Sequence, residues 1–378
     1  MPEPEVTVVG LGIMGSCALW QLAAHGVRAV GYDRFHPPHA HGASHGHSRV
    51  VRRLQFEGDQ YVPLGDRAYA LWARLEAEAG RRLLTRTGLL IIGPPDSQLI
   101  RGARESAERC GIDHELLDTE ALRERYPQHR VADGEIGLLD PAAGFVSPEA
   151  AIVAALERAR ALGAEIRAGQ AVREPAGRTV VAAGTWLGSL VPELAAQITV
   201  ERHFFAWLPV RDPARFAPDR FPVWIRESAG TTGRAIEESH AHSQRILAYG
   251  FPSTDGRRVK AGFPVTGLRV ESAEADPEPR PEEMAMLTQT SLDAILDGVL
   301  AEPSDFTACL YDNSPDGHFI IGSPPGRPDL TVLGGFSGHG FKHAPAVGEM
   351  AAALVTGEEP AVDAGPWSPL RLLDRPGS

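Results

Sequence analysis

The hydrophobic pattern at the start of the chain predicts a strand, a helix and a second strand in direct succession. The apolar run VTVVGLG is followed by a helical pattern from Met14 to His25 and then by the apolar run VRAVGYD. Short apolar runs are typical of buried parallel strands, and apolar positions three and four residues apart are typical of a helix that packs on them. The first 33 residues therefore predict one βαβ unit.

The middle of the chain changes character, because strand-like runs alternate there with helical stretches. The strand-like runs are residues 87–93, 136–140, 198–210, 220–227, 244–252 and 257–264. The helical stretches are residues 61–80, 96–109, 148–162 and 281–298. The apolar run 179–186 suits a return to the first sheet, and the segment from Leu330 repeats the order of strand, glycine-rich turn and helix. We therefore expect a nucleotide-binding unit assembled from separated pieces, with a sheet-rich unit inserted between them.

Composition and charge exclude several classes of protein. The chain has 378 residues, which is enough for two domains, and its hydrophobic content of 43 % and charged content of 23 % are those of a globular protein. No apolar run approaches the roughly 20 residues that span a bilayer, and the N-terminus lacks a basic signal region, so we expect a cytoplasmic protein without membrane contact. The net charge of −12 argues against nucleic acid as a partner, because phosphate binding needs a clustered positive surface.

The run GLGIMG lies between the first strand and the first helix. Gly10, Gly12 and Gly15 have the GxGxxG spacing, and Asp33 ends the second strand. The first glycine permits a tight turn, the second lets the backbone approach a pyrophosphate, and the third lets helix and strand pack closely. The helix N-terminus offers N–H donors and a positive dipole, and the acid accepts from ribose hydroxyls. This context predicts a dinucleotide site.

The cysteines and histidines do not predict a metal site or a disulfide framework. The three cysteines, Cys17, Cys110 and Cys309, are widely spaced and form no CxxC pair. The histidine-rich loop after Asp33 has no carboxylate or cysteine ligand at a helical spacing, so we expect no metal there. Cys17 fits a small core residue, whereas Cys309 lies in a strand-like segment that breaks into Asp-Asn-Ser-Pro.

Segments along nearly the whole chain resemble the monomeric sarcosine oxidase and N-methyltryptophan oxidase family of amine oxidases with covalently attached FAD. The segments are, in order, GLGIMG, PPHAHGASHGHSRVVR, YVPL, TGLLIIGP, AGTW, YGFP, ACLYDNSPDGHFII and GFSGHGFK. The last two are the most specific. The resemblance implies an α/β fold, in which a Rossmann-like FAD-binding domain carries an inserted α+β substrate domain built on a mostly antiparallel sheet. We expect the FAD-binding domain at 1–84, 145–197 and 306–378, and the substrate domain at 85–144 and 198–305.

The resemblance also implies how FAD is held. The sulfur of Cys309 would bond to the 8-methyl carbon of the flavin, which raises its reduction potential and prevents its loss. Backbone N–H groups of the run GGFSGHGFK would face the flavin pyrimidine and stabilise the negative charge that develops on reduction. The residues expected to contact FAD are Gly10, Gly12, Ile13, Met14, Gly15, Asp33, Arg34, His41, Ser44, Ser48, Arg49, Val172, Cys309, Gly338, His339, Gly340, Phe341 and Lys342.

The same resemblance implies a set of catalytic residues. Arg52 and Lys342 would clamp the substrate carboxylate, since an arginine fork binds it through two hydrogen bonds and a lysine adds a point charge. Lys260 would supply the fixed cation that helps oxygen accept electrons. The residues expected around the reacting atoms are His45, Arg49, Arg52, Tyr249, Lys260, Tyr311 and Lys342.

We therefore expect FAD-dependent oxidation of a secondary amine, an N-methyl or cyclic amino acid, to an imine, with reduction of O2 to hydrogen peroxide. We expect the protein to be a monomer. Two alternatives stay open: a flavin dehydrogenase that uses another electron acceptor, and a flavoprotein without turnover. Two departures from the family pattern affect this expectation. Pro264 stands where the family has a histidine four residues after the lysine. The segment between Val172 and the strand at 179 leaves room only for a turn, so one edge of the FAD domain is shortened.

Overall fold

The computed structural model describes residues 5–227, 246–262, 268–271, 278–284 and 292–372. The strands are β1 (Val6–Val9), β2 (Ala29–Asp33), β3 (Arg49–Val51), β4 (Leu84–Arg86), β5 (Leu89–Gly93), β6 (Glu115–Leu117), β7 (Ile136–Asp140), β8 (Gly144–Val146), β9 (Glu165–Ala168), β10 (Thr179–Val181), β11 (Thr199–Pro209), β12 (Val223–Glu227), β13 (Ile246–Phe251), β14 (Arg258–Gly262), β15 (Leu268–Arg269), β16 (Asp305–Asn313), β17 (Ile320–Gly322) and β18 (Leu330–Gly334). The α-helices are α1 (Ile13–Ala24), α2 (Tyr61–Ala79), α3 (Gln98–Cys110), α4 (Thr119–Arg125), α5 (Pro148–Ala161), α6 (Leu187–Leu190), α7 (Leu292–Ile295) and α8 (Ala344–Thr356).

The first sheet is the nucleotide-type sheet that the N-terminal pattern predicts. Its strand order is β17-β18-β10-β1-β2-β9, and β1 is parallel to both β2 and β10. Only the edge pair β17 and β18 is antiparallel among the described strands of this sheet. Helices α5 and α8 pack against α1, whose buried Trp20 and Leu19 belong to the largest core cluster. The sheet draws on strands from both ends and the middle of the chain.

The second sheet contains most of the strands predicted for the middle of the chain. Its order is β15-β11-β14-β13-β12-β5-β7-β6, and β16 pairs with the other edge of β11. Most neighbours are antiparallel, whereas β12 and β5 are parallel. The fold class predicted from the sequence is confirmed: an α/β fold in which a mostly parallel, Rossmann-like sheet is accompanied by a mostly antiparallel sheet. A small third sheet has the order β3-β8-β4.

Strand β16 carries Cys309 into the second sheet. It pairs with β11 from Asp305 to Asn313, which places Cys309 opposite His203 and Tyr311 opposite Glu201. The domain boundaries stay a prediction, and this pairing bears on one of them: residues 306–313, assigned to the FAD domain, hydrogen-bond to β11 of the assigned substrate domain. The two units therefore share the strand that bears this cysteine.

The shortened segment is visible between β9 and β10. Residues 169–178 are described and contain no strand, so the chain returns to the first sheet through turns alone. Pro264 lies outside the described residues, as do the middle of the predicted helix 281–298 and the end of the predicted strand 257–264. No described helix is both long and apolar enough to cross a membrane.

Candidate active site

The larger of two adjoining cavities lies over the turn between β1 and α1. It has a volume of about 570 Å³, within the usual range of ligand cavities. Gly10 has φ of +89°, and a Cβ there would stand 2.5 Å from the carbonyl oxygen of Ala182. A Cβ on Gly15 would stand 1.8 Å from the carbonyl oxygen of Gly10, whereas one on Gly12 would meet only Ser44 Oγ, at 3.6 Å. The first and third glycines are therefore required by packing, and the second leaves room beside the backbone.

Asp33 closes this turn from the end of β2. Its Oδ2 accepts a hydrogen bond from the Leu11 N–H at 2.7 Å, and its Oδ1 accepts one from the Phe35 N–H at 2.8 Å. His39 Nε2 lies 3.3 Å from Oδ1. Burial alone would raise the pKa of this carboxyl, but the hydrogen bond from His39 and the two backbone donors hold the pKa below its usual value. The group is therefore an anion that lines the cavity.

The larger cavity collects most of the residues predicted to contact FAD. The residues of that set that line it are Gly10, Gly12, Ile13, Met14, Asp33, Arg34, Ser44, Arg49, Val172, Gly338, Gly340 and Phe341. Tyr311, predicted as a catalytic residue, lines it as well. Gly338 has φ of +76°, and a Cβ there would stand 2.8 Å from the ring of Tyr311. Six residues of the predicted set do not line it: Ser48, His339 and Lys342 line only the smaller cavity, and Gly15, His41 and Cys309 line neither. His41 stacks on Phe35 with ring centroids 3.9 Å apart, and His39 lines the larger cavity instead.

The smaller cavity, of about 160 Å³, is lined by charged and aromatic side chains. It adjoins the larger one through shared lining residues, which are Arg49, Tyr311, Gly338 and Phe341. The predicted residues found in its lining are Ser48, Arg49, Arg52, Tyr249, Tyr311, Gly338, His339, Phe341 and Lys342. The structure therefore brings together Arg52, near the start of the chain, and Lys342, which lies in a 3-10 turn before α8.

Arg52 and Lys342 are held by a buried carboxylate that the sequence analysis missed. Arg52 donates to Glu57 Oε1 and to the Leu54 carbonyl oxygen, and its guanidinium lies 4.0 Å from the centroid of the Phe56 ring. Lys342 Nζ lies 3.5 Å from the same oxygen of Glu57. Burial would raise the pKa of Glu57, but the charges of Arg52 and Lys342 hold it well below its usual value. A carboxylate thus already occupies the cationic pair.

The charge of Lys342 is finely balanced. Its Nζ donates to the His339 carbonyl oxygen at 2.8 Å, and the side chain is buried. Burial first, and then the positive charge of Arg52, lower its pKa to about 7, although Glu57 opposes this change. The ammonium therefore loses its proton near neutral pH.

Lys260, His45 and Cys309 lie close enough to Arg49 for its charge to affect their pKa values, but they line neither cavity. Lys260 Nζ donates to the Gly46 carbonyl at 2.7 Å, to the Ser48 carbonyl at 2.8 Å and to Ser48 Oγ at 3.2 Å. Three acceptors match the three hydrogens of an ammonium group, whereas burial and then the charge of Arg49 lower the pKa of Lys260 well below its usual value. The neighbouring Arg258 instead pairs with Asp255 at the surface.

His45 and Cys309 are buried beside the same cations. Burial, followed by the charges of Arg49 and Lys260, lowers the pKa of His45 to about 3. Burial raises the pKa of the Cys309 thiol, and Arg49 and Lys260 oppose that change. Cys309 packs in a cluster with Phe205, Trp207 and Tyr311, and the residues that follow it in β16, Leu310 and Tyr311, line the larger cavity.

Tyr249 and Tyr311 approach each other at the smaller cavity from different strands. Both are partly buried, and burial raises the pKa of each phenol. Two further polar residues of this cavity, Glu201 and His203 of β11, were not singled out in the sequence. Only their alternating positions in the run ITVERHFFAW could have suggested a shared face.

The comparisons with known proteins decide the family. The family described as DAO, FAD dependent oxidoreductase, matches residues 5–354. The chain belongs to this FAD dependent oxidoreductase family. The resemblance noted from the motifs is confirmed by curated relatives of nearly full length. The chain is 34 % identical over 399 residues to the monomeric sarcosine oxidase of Streptomyces avermitilis, with 99 % of each chain covered. It is 32 % identical to the N-methyl-L-tryptophan oxidase of Salmonella typhi, with 96 % of this chain and 97 % of the relative covered.

Solved structures of this FAD dependent oxidoreductase fold superpose over nearly the whole chain. NikD, an unusual amino acid oxidase essential for nikkomycin biosynthesis, has a TM-score of 0.82 in its open form, with 22 % identity and 98 % of each chain covered. L-proline dehydrogenase from P.horikoshii has a TM-score of 0.79, with 21 % identity and 99 % of each chain covered. These likenesses show the fold.

The residues of the larger cavity fit the FAD that the family uses. Helix α1 has no side-chain cap from Gly12, so its first turn can offer N–H donors to a phosphate. Asp33 would supply the anion that accepts hydrogen bonds from ribose hydroxyls, and the adjoining smaller cavity would leave space for a substrate. Among the residues described, no group of three or more His, Cys, Asp and Glu side chains is arranged to hold a metal ion.

Proposed function

We propose that the protein oxidises the CH–N bond of a secondary amino acid, N-methylated or cyclic, to an imine and passes the electrons to O2, giving hydrogen peroxide. The observation that carries this proposal is the pair Arg52 and Lys342 in a small cavity that adjoins the nucleotide cavity. Two buried cations side by side suit a carboxylate ligand. The names of the relatives, sarcosine oxidase and N-methyl-L-tryptophan oxidase, support the amine class.

The substrate carboxylate would join Glu57 as a second partner of Arg52 and Lys342. Glu57 balances one of these two positive charges, and the substrate carboxylate would supply the second negative charge. The volume of about 160 Å³ is below the roughly 300–1,000 Å³ of cavities for drug-sized ligands. This size favours a compact amino acid.

Bound FAD supplies the two-electron acceptor. Arg49 and Tyr311, which line both cavities, would orient the substrate at their junction, and Tyr249 would limit its position from the opposite strand. Aromatic walls exclude water there, which strengthens the electrostatic interactions of the site. The substrate amine must reach this position unprotonated. Its nitrogen lone pair must be free to form the C=N bond of the imine when the C–H electrons leave the substrate.

Lys260 is proposed as the cation that assists O2. Its Nζ is fixed by the carbonyl oxygens of Gly46 and Ser48, so little reorganisation is needed when negative charge forms on oxygen. Cys309 is proposed as the covalent anchor of FAD. The adjacent Leu310 and Tyr311 line the larger cavity, which supports a thiol within reach of the ring.

Anaerobic mixing with amino acids tests the proposed activity. Sarcosine, N-methyltryptophan, proline and pipecolate are added to the purified flavoprotein, and flavin absorbance is followed without oxygen. We expect at least one compact secondary amino acid to bleach the flavin and re-aeration to yield one hydrogen peroxide per substrate. Bleaching without peroxide on re-aeration would identify a dehydrogenase that uses another acceptor, and no bleaching by any member would reject turnover.

Acid precipitation tests the anchor separately. Flavin colour is expected to stay with the acid pellet of the unmodified protein and to move to the supernatant for Cys309→Ser. Cys110→Ser is the matched control, because this thiol is exposed at the end of α3. Colour in the supernatant of the unmodified protein would reject the anchor.

A further inference from the structure

One acidic and one basic side chain of β11 form a polar pair in the wall of the smaller cavity. Glu201 and His203 both line this cavity, and both are buried. His203 Nε2 lies 3.3 Å from Glu201 Oε2. Because side chains alternate along a strand, the two residues share one face of β11. They face the side of the sheet on which Phe205 and Trp207 pack against Cys309.

The imidazole of His203 is fixed in place on two sides. Its ring stacks on Tyr311 with centroids 4.1 Å apart and an interplanar angle of 24°, and Glu201 holds Nε2. The other ring nitrogen, Nδ1, is buried and has no hydrogen-bond partner within the described part of the chain. A buried ring nitrogen without a partner carries a desolvation cost, which a ligand that forms this hydrogen bond removes.

The pair complements the cationic end of the same cavity. Arg52 and Lys342 take the carboxylate of an amino acid, and the amine of an α-amino acid is attached one carbon away. Glu57 is not available for that amine, because Arg52 and Lys342 already bind its carboxylate. The carboxylate of Glu201, paired with His203, is the other acidic group in the described lining. A cavity of about 160 Å³ brings a bound amine close to its walls.

We propose that Glu201 and His203 form the amine subsite, which accepts a hydrogen bond from the N–H group of the substrate. This inference rests on the proposed function and adds to it the residues that distinguish an amine from other small carboxylates. An unprotonated secondary amine still carries one N–H hydrogen, so it can donate to the pair while its nitrogen lone pair stays free. The subsite thus selects a nitrogen, while Arg52 and Lys342 select a carboxylate.

The test compares two ligands that differ at one atom. Sarcosine carries N–H where methoxyacetate carries an ether oxygen, which cannot donate. The concentration of sarcosine, or of the best compact substrate from the panel, that half-saturates anaerobic flavin reduction is measured. The dissociation constant of methoxyacetate is measured by its perturbation of the flavin spectrum. We expect Glu201→Gln and His203→Leu each to raise the amine value about 10- to 100-fold, as for loss of a charge-assisted hydrogen bond, and to change the methoxyacetate value less than threefold.

The control is Glu135→Gln. Glu135 is also buried and pairs with an arginine of the second sheet, Arg226, at 2.6 Å, but it lines neither cavity. It should leave both constants unchanged. If Glu201→Gln fails to fold, His203→Leu alone is used for the test. Leucine keeps an apolar group against the Tyr311 ring on which the imidazole stacks.

Three results would overturn the subsite. A parallel loss of affinity for both ligands would assign Glu201 and His203 a structural role only. Unchanged constants for both ligands would show that the pair does not contact the amine. If the unmodified protein is not reduced by any secondary amino acid, the proposed function fails and the subsite fails with it. Reduction of the unmodified protein together with either of the first two results rejects the subsite alone.

Discussion

The two cavities of this protein are built from different parts of the polypeptide. The larger one is shaped by backbone: a tight glycine turn, an uncapped helix start and one carboxylate, Asp33, held by backbone N–H groups. The smaller one is shaped by side chains, with Arg52, Lys342 and Glu57 at its charged end and aromatic rings around it. A nucleotide site of the first kind depends on where Cβ atoms are absent. A substrate site of the second kind depends on which charges face each other.

Lys260→Met tests whether Lys260 assists only the reaction of the reduced flavin with O2. We expect reoxidation of the substrate-reduced flavin to slow by about 10²- to 10³-fold, the usual cost of removing one fixed group that stabilises developing charge. Stopped-flow mixing of reduced protein with oxygen measures this step.

The reductive half-reaction of the same variant provides the internal control. Lys260 lines neither cavity, so anaerobic reduction by substrate should change much less than reoxidation. Equal slowing of both half-reactions would mean that Lys260 maintains the site as a whole, and normal reoxidation would remove its assigned role.

Arg52→Met tests the charged end of the smaller cavity. We expect the dissociation constant of methoxyacetate to rise about 30- to 150-fold, which corresponds to about 2–3 kcal/mol for a buried charge pair. This loss of binding free energy is at the lower end of the usual range for a buried charge pair, because Lys342 still contributes its positive charge. The flavin content should stay unchanged, since Arg52 does not line the larger cavity.

Arg53→Met is the matched control for Arg52→Met. This neighbouring arginine is partly exposed and pairs with Asp66, so carboxylate affinity should not change. Similar losses in both variants would show that the effect comes from the segment as a whole and would contradict the carboxylate role of Arg52.

The sequence predicts the larger cavity better than the smaller one, and the reason is physical. Gly10, Gly12, Gly15 and Asp33 lie within 24 residues of one another in a local βαβ unit, so their spacing specifies their geometry. The fold class and the existence of most strands were also predicted correctly, because period and run length are local signals.

The smaller cavity depends on contacts between distant segments. Arg52 and Lys342 were found only through the resemblance of their motifs, and Glu57 was missed although it lies five residues after Arg52. The spacing of apolar residues along a helix or strand does not indicate that the Glu57 carboxylate accepts a hydrogen bond from Arg52. The pair on β11, Glu201 and His203, was missed for the same reason. Only the pairing of β11 with β16 brings these two residues beside Cys309 and Tyr311.

The glycine turn offers a test of the backbone side of the comparison. Gly15→Ala places a Cβ 1.8 Å from the Gly10 carbonyl oxygen, and overpacking of this kind costs about 1–3 kcal/mol. We expect Tm to fall by roughly 2 to 6 °C, in flavin-containing and flavin-free fractions alike. Gly12→Ala meets no such contact, so it should lower the ratio of flavin to protein while Tm of the flavin-free fraction stays the same. The opposite ranking would refute the separate roles of these two glycines.

The charge of Lys342 offers the mildest test of the side-chain region, because pH alone changes it. Burial and the charge of Arg52 lower the pKa of Lys342 to about 7, so the group is mainly protonated at pH 6 and mainly neutral at pH 8. Methoxyacetate stays an anion across this range, and its affinity should therefore fall as pH rises, by up to about tenfold between pH 6 and pH 8. Titrations of the flavin spectrum at each pH measure the effect.

His339 is a second titratable side chain at this end of the cavity, with its Nδ1 3.8 Å from Glu57 Oε1. Lys342→Met separates the two groups. If the lysine is responsible, this variant binds methoxyacetate weakly at every pH and its affinity no longer depends on pH; if the histidine is responsible, the slope persists. An affinity that rises with pH in the unmodified protein would contradict both assignments, because it requires a carboxylate ligand to prefer a cavity that has lost positive charge.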